Sequence, residues 1–205
     1  MGFFERNRAQ LAERGYDPGR LPPGQYFTER FPVLHVGDVP IIDPWTLTLF
    51  GLVDAPRTLD LEDLQSLPRA EVVADIHCVT KWSKFDTVWR GARFRDVMAL
   101  AEVSPRARHV VEHAEYGYTT NAPLADCLGD DVLLAWEYSE SGGMLAPLTP
   151  EHGGPVRLVV PKLYFWKSAK WLRGLEFSEV DQPGYWERNG YHNEADPWRE
   201  QRYSA

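Results

Sequence analysis

Apolar positions along the chain change their period several times, and each change marks an element. Trp45-Thr46-Leu47-Thr48-Leu49-Phe50 alternates apolar and polar residues, the period of a half-buried strand. Leu61 to Leu67 predicts a short helix, with Asp60 as its N-cap and Pro68 as its stop. The β-branched stretch Glu71-Val72-Val73-Ala74-Asp75-Ile76 predicts a strand. Phe94, Val97, Met98 and Ala101 share one helical face. Strands are expected again at His109 to His113, at Val132 to Tyr138, at Val156 to Pro161 and near Leu172 to Val180. Between them, Trp89-Arg90-Gly91-Ala92 predicts a turn, Gly117 to Pro123 a loop, and Ser141 to Pro155 a long loop.

The ends are less regular. Prolines at 18, 22, 23, 32 and 40 leave the first forty residues room for only a short polar helix around residues 4–14. Tyr26-Phe27-Thr28-Glu29-Arg30-Phe31 is too aromatic for a free tail and is expected to pack on the domain. The stretch from Trp186 to Ala205 mixes aromatic and charged residues and is expected to wrap the surface. Strands outnumber helices, and no βαβ alternation is sustained. The expected class is α+β, with mixed β-sheets and short helices in one domain over residues 1–205, its core running from about 26 to 180.

Composition narrows the function. A net charge of -8 argues against binding nucleic acid or an anionic membrane in bulk, and makes any local basic cluster notable. Two cysteines in 205 residues make no disulfide framework. The first residues have no apolar signal core, and no apolar run reaches the roughly 18 residues of a membrane span. The expected location is the cytoplasm, with no membrane segment.

Three stretches carry candidate chemistry. Cys78 stands where the 71–76 strand runs out, followed by Val79-Thr80-Lys81-Trp82-Ser83-Lys84. A thiol beside cations at a strand end is acidified, and a thiolate binds soft metals; the alternative is a small buried hydrophobe. In His152-Gly153-Gly154-Pro155-Val156-Arg157, glycines that let backbone approach a ligand are bracketed by two groups suited to an anion. In Lys162 to Trp171, three lysines and a serine sit among large apolar residues. That is either a phosphate nest or lysines snorkelling over an aromatic patch. His109 and His113 have helical metal spacing, but on a strand they stand about 13 Å apart, too far for one ion.

Together these stretches resemble the sulfite oxidase-like molybdopterin-dependent oxidoreductases, from about Tyr26 to Val180. The resemblance implies a sulfite oxidase-type molybdopterin-binding fold, Mo-molybdopterin as cofactor and Cys78 as the protein ligand to molybdenum. It further implies pterin contacts from His152, Arg157, Ser168, Ala169 and Lys170, and a covering arm at Thr28, Glu29, Arg30 and Phe31. His113 falls where a relative places a pterin-binding residue. Sulfite oxidases proper follow the cysteine with Ala-Gly-Asn-Arg, whereas here Val79-Thr80-Lys81-Trp82 follows. The chain is therefore closer to the bacterial branch that includes the methionine sulfoxide reductase catalytic subunit. No haem domain or second dimerisation domain is expected.

The expected function is oxygen-atom transfer on a small S- or N-oxide, or the reverse oxidation, with a separate electron-transfer partner. Trp82, Lys84, Thr120 and Asn121, read as polar loop residues at strand ends, are the expected pocket wall. Two other readings compete. One is a non-catalytic module that keeps the fold and binds a phosphorylated ligand or a protein. The other is a metal-free thiol enzyme using Cys78 with His77 or His113 as base.

Overall fold

The computed structural model describes residues 2–35, 37–139 and 143–204. In chain order the elements are α1 (Phe3–Glu13), β1 (Tyr26–Phe27), β2 (Thr46–Gly51), β3 (Arg57–Asp60), α2 (Leu61–Ser66), β4 (Arg69–His77) and β5 (Trp82–Arg93). There follow α3 (Phe94–Ala99), β6 (His109–Ala114), β7 (Thr119–Pro123), α4 (Leu124–Cys127) and β8 (Leu133–Ser139). The chain ends with β9 (Ala146–Pro147), β10 (Arg157–Val159), β11 (Leu172–Ser178) and α5 (Tyr185–Arg188). The fold is α+β, as its residue pattern predicts.

Two mixed sheets hold all the strands. One is built around β5, which pairs antiparallel with β4 and β8 and parallel with β1; β8 pairs in turn with β9 and β10. The other runs β3-β2-β11-β6-β7, with β2 and β11 parallel. Leu47, Leu49, Val110, Leu175 and Phe177 from the second sheet and Ala92, Leu134 and Leu158 from the first share one buried cluster. A second cluster, with Ile76, Cys78, Trp82, Trp89, Val159 and Phe165, lies beneath the candidate site.

Several local expectations are met for the expected reason. Asp60 caps α2 by accepting from Asp63 N at 2.8 Å, and Asp63 returns a bond to Asp60 N. Tyr26 and Phe27 pair with Trp82 and Ser83, which seats the aromatic arm on the domain.

Two expectations fail. Trp89-Arg90-Gly91-Ala92 is the interior of β5 and not a turn. Gly91 is there because a Cβ would meet Leu134 O at 2.0 Å, where the register with β8 slips. Residues 119–123 are not a loop but β7, an edge strand on β6. Their polar side chains are buried because partners elsewhere in the chain satisfy them. The long 143–155 stretch does contain a short strand, β9, and a 3-10 turn over Pro150–His152, while Glu140, Ser141 and Gly142 lie outside the described residues.

Candidate active site

The β4–β5 hairpin creates the first component. His77 pairs with Ser83, and residues 78–81 make the turn, closed by Cys78 N donating to Trp82 O at 2.8 Å and Lys81 N to Cys78 O at 3.0 Å. Lys81 takes the left-handed conformation at φ 78, a position a glycine would fill without strain. Both ends of the chain brace the turn: Gln25 Nε2 donates to Cys78 O at 3.0 Å and Arg202 Nη1 to Val79 O at 3.1 Å. Cys78 Sγ stands 3.2 Å from Thr80 Oγ1. Burial raises the thiol pKa above its usual value, against weaker lowering by Thr80, Arg202 and Lys170.

The basic turn is the second component. Ser168 Oγ accepts from Val160 N at 2.9 Å, and Ala169 N donates to Glu112 Oε2 at 2.8 Å. Trp171 N donates to Gly153 O at 3.1 Å, and Trp171 holds φ 53. The two glycines of the 152–157 stretch permit close packing, Gly153 on the basic turn and Gly154 on Leu148. Gly153, at φ 103, has no room for a Cβ against the Lys170 Cβ and Cγ, and a Cβ on Gly154 would sit 2.2 Å from Leu148 O.

Arg157 reaches the same turn from β10. Its guanidinium is buried, donates to His152 O at 2.8 Å and Ser168 O at 2.7 Å, and lies 4.1 Å from the centre of the Phe165 ring. Lys170 Nζ donates to Leu34 O at 2.9 Å and Glu151 O at 2.6 Å. Burial lowers the Arg157 pKa to about 9; burial and then the nearby Arg157 lower that of Lys170 to about 7. Two cations whose bonds go to neutral carbonyls thus share one wall.

A cavity of about 600 Å³ joins these components: Cys78, Thr80, Trp82, Arg157, Ser168, Ala169 and Lys170 all line it. Phe31 lines it too, stacked on the His152 ring at 4.0 Å, so His152 stands behind the wall.

Other expected residues lie elsewhere. Glu29 and Arg30 are exposed, and Glu29 pairs with Arg14; neither they nor Thr28 line the cavity. His113 bonds Glu176 Oε2 at 2.9 Å on the β6–β11 pair. Lys84 is buried, with Nζ on Glu29 O. Thr120 and Asn121 are interior β7 residues and not pocket wall: Thr120 Oγ1 donates to Glu187 Oε1 at 3.0 Å, and Asn121 Nδ2 to Asp181 Oδ1 at 2.6 Å. The three lysines of 162–170 also separate. Lys162 pairs with Asp126 outside, Lys167 is buried against Glu187, and only Lys170 reaches the cavity.

Sequence reasoning missed the rest of the wall. Tyr118, Trp166, Trp171, Tyr185, Trp186 and Tyr191 also line the cavity. The available signal for Trp186 and Tyr191 was the aromatic content of the stretch from Trp186 to Ala205, read as surface wrapping.

The donor set limits what the cavity can hold. Among the described residues no group of three or more His, Cys, Asp or Glu side chains could hold a metal. A metal at Cys78 must therefore take most of its ligands from a non-protein group. Trp82, also in the wall, leaves its buried indole Nε1 without a hydrogen-bond partner among the described residues. A soft single thiol, an orphaned donor and two cations hydrogen-bonded to neutral carbonyls fit a metal-bearing organic cofactor with a phosphate.

Comparison with known proteins agrees. The profile of the oxidoreductase molybdopterin binding domain matches residues 36–186. Over 189 residues the chain is 53% identical to the uncharacterized oxidoreductase YuiH of Bacillus subtilis (strain 168), covering 91% of this chain and 93% of that protein. It is 29% identical over 193 residues to sulfite oxidase of Arabidopsis thaliana, covering 76% of this chain and 48% of the relative. The sulfane dehydrogenase SoxCD from Paracoccus pantotrophus shares the fold, with a TM-score of 0.59 at 23% identity, over 71% of this chain and 40% of that one.

Proposed function

The chain belongs to the family of molybdopterin-binding oxidoreductase domains, and from that premise we propose that it catalyses oxygen-atom transfer on an S- or N-oxide, or the reverse oxidation, with molybdenum held by Cys78. It is an oxidoreductase whose cofactor is Mo-molybdopterin. The observation that carries the finer reading is that Cys78 opens into the same cavity as Arg157, Ser168 and Lys170.

When bound, the cofactor supplies a two-electron centre able to exchange an oxygen atom with substrate. The protein's part is binding, orientation and electrostatics. Lys170 and Arg157 would neutralise the phosphate, and Ser168, whose Oγ accepts from Val160 N, would have its hydroxyl proton to donate to it. Trp82 would offer its indole N–H, while Phe31 and Phe165, packed in one apolar cluster with Cys78, give the cavity an apolar wall. For a sulfoxide substrate, the S–O bond breaks as two electrons and two protons are taken up, giving the thioether and one water. The electrons come from a separate donor.

The metal-free thiol reading is disfavoured by the same geometry. Burial raises the Cys78 thiol pKa, His77 is bonded to Ser83 Oγ at 2.8 Å, and His113 is bonded to Glu176. A non-catalytic module has no need of both a metal-binding thiol and a phosphate-binding turn in one cavity.

The test is metal analysis of protein purified from a molybdenum-replete host, followed by assays with sulfoxides, N-oxides and sulfite using reduced viologen or ferricyanide. About one molybdenum per chain and turnover of an S- or N-oxide or its reduced partner are expected. Protein that folds without molybdenum overturns the proposal.

A further inference from the structure

The cavity wall is divided in character. Its cations, Arg157 and Lys170, sit with the basic turn, whereas Tyr118, Trp166, Tyr185, Trp186 and Tyr191 form another stretch. We propose that this aromatic stretch is the substrate wall and takes a neutral organic S- or N-oxide with an apolar, ring-sized body, in preference to a small inorganic oxyanion. The inference rests on the function proposed above and names its substrate class.

The rings form one continuous surface. Trp186 and Tyr191 lie 4.8 Å apart between ring centres, Trp166 and Tyr191 5.3 Å, Tyr185 and Trp186 5.0 Å, and Tyr118 and Tyr185 6.1 Å. Their polar atoms are partly spent within the protein: Tyr118 Oη donates to Trp166 O at 3.0 Å, and Trp166 Nε1 to Glu187 Oε1 at 2.8 Å. The wall these residues present is otherwise aromatic carbon with neutral hydroxyl and indole groups. Tyr185 still shows 37% of its surface, part of which a bound body would cover.

An oxyanion such as sulfite must replace its hydration with charged or strong donors. Besides Arg157 and Lys170, the described lining residues include the carboxylate Glu115, already paired with Arg173 Nε at 3.1 Å. Among the described lining residues the arginine and lysine are those of the phosphate end. The aromatic stretch therefore offers an anion no compensating charge, while it offers a neutral ring stacking and burial.

The wall is also held in place. Glu187, between Trp186 and the rest of α5, is buried against Lys167 at 2.6 Å, and Gly184 packs so close to β7 that a Cβ would meet Thr119 O at 2.3 Å. A fixed surface loses little freedom when a ligand binds.

The experiment uses the molybdenum-loaded protein in its resting oxidised form, with tryptophan fluorescence as the readout and competition for ligands that do not quench. Methyl phenyl sulfoxide is compared with dimethyl sulfoxide, which has the same reacting group without the body, and with sulfite. Methyl phenyl sulfoxide is expected to bind at least tenfold more tightly than either. Trp186→Ala should cut that advantage at least threefold with molybdenum content unchanged; Tyr185→Ala, at an exposed position, serves if the first variant does not fold. A smaller advantage in wild type, tighter binding of sulfite, or an undiminished advantage in the folded variant overturns the inference alone. Protein without molybdenum overturns the function on which it rests, and this inference with it.

Discussion

Lys167 Nζ lies 2.6 Å from Glu187 Oε1, and the two side chains are 0% and 1% exposed. The pair joins the segment before the basic turn to the C-terminal helix α5. Glu187 Oε1 also accepts from Thr120 and Trp166, and Lys167 Nζ donates to Asn121 O at 2.8 Å and Oδ1 at 3.0 Å. Removing one partner strands a buried charge, which costs about 3–5 kcal/mol. Lys167→Met and Glu187→Leu should each lose stability of that order in urea unfolding. The double variant should recover much of it, because two apolar groups leave no orphaned charge. A double-variant loss equal to the sum of the two single losses would show that the pair is not coupled.

The buried carboxyl of Glu112 supplies a pH test. Burial raises its pKa from 4.5 to about 8, against weaker lowering by Ala169 N–H and Lys167. A folded-state pKa above the unfolded value means the folded chain holds the proton more tightly. Its stabilising contribution is full below about pH 4.5 and is lost as pH rises towards 8. Glu112→Gln keeps an acceptor for Ala169 N and carries no titrating proton. The stability of the variant relative to wild type should therefore rise between pH 4.5 and 8, by an amount on the order of a few kcal/mol. A difference that stays flat across that window would mean that Glu112 titrates normally.

Much of the site was legible because its parts are local. The hairpin thiol, the Gly-Gly stretch and the basic turn are each contiguous in sequence, and each keeps its strand-end position in the fold. What was not legible depends on pairing at a distance. Thr120 and Asn121 looked like loop residues because a polar run has no apolar period; they are buried in β7 because Glu187 and Asp181, some 60 residues away, satisfy them. Gly91 looked like a turn residue because nothing local announces that Leu134 O lies against it. The aromatic wall was hidden likewise: α5 is only four residues long, and Trp186 and Tyr191 reach the cavity through tertiary contacts.

The two cysteines should behave oppositely. Cys78→Ser keeps the volume of the side chain but replaces a soft donor by a hard one. Such protein should stay folded, lose redox activity and lose bound molybdenum. Cys127 is 0% exposed in the shared core, its thiol pushed well above the usual pKa by burial. Cys127→Ala should keep its metal and lose about 1 kcal/mol of stability through the small cavity it leaves. Metal content by mass spectrometry, set beside thermal melting, separates the two; metal loss confined to Cys127→Ala would reverse the assignment.

Lysines offer the sharpest contrast, because the structure gives three of them three different surroundings. Lys170 lines the cavity beside Arg157, Lys162 is exposed and paired with Asp126, and Lys81 is exposed on the hairpin turn. Burial and Arg157 lower the Lys170 pKa to about 7, so a phosphate brought next to it raises that pKa again and is held by a charge-assisted bond. Loss of that bond costs about 1.5–3 kcal/mol, roughly a tenfold to hundredfold loss of cofactor affinity. Lys170→Ala should therefore purify depleted of molybdenum and release cofactor faster on dilution, whereas Lys81→Ala and Lys162→Ala should stay near full loading. Lys162→Ala also breaks an exposed ion pair, worth at most about 1 kcal/mol, so its stability should hardly change. Molybdenum per chain in the three variants decides the matter: equal loading throughout would remove Lys170 from the phosphate site.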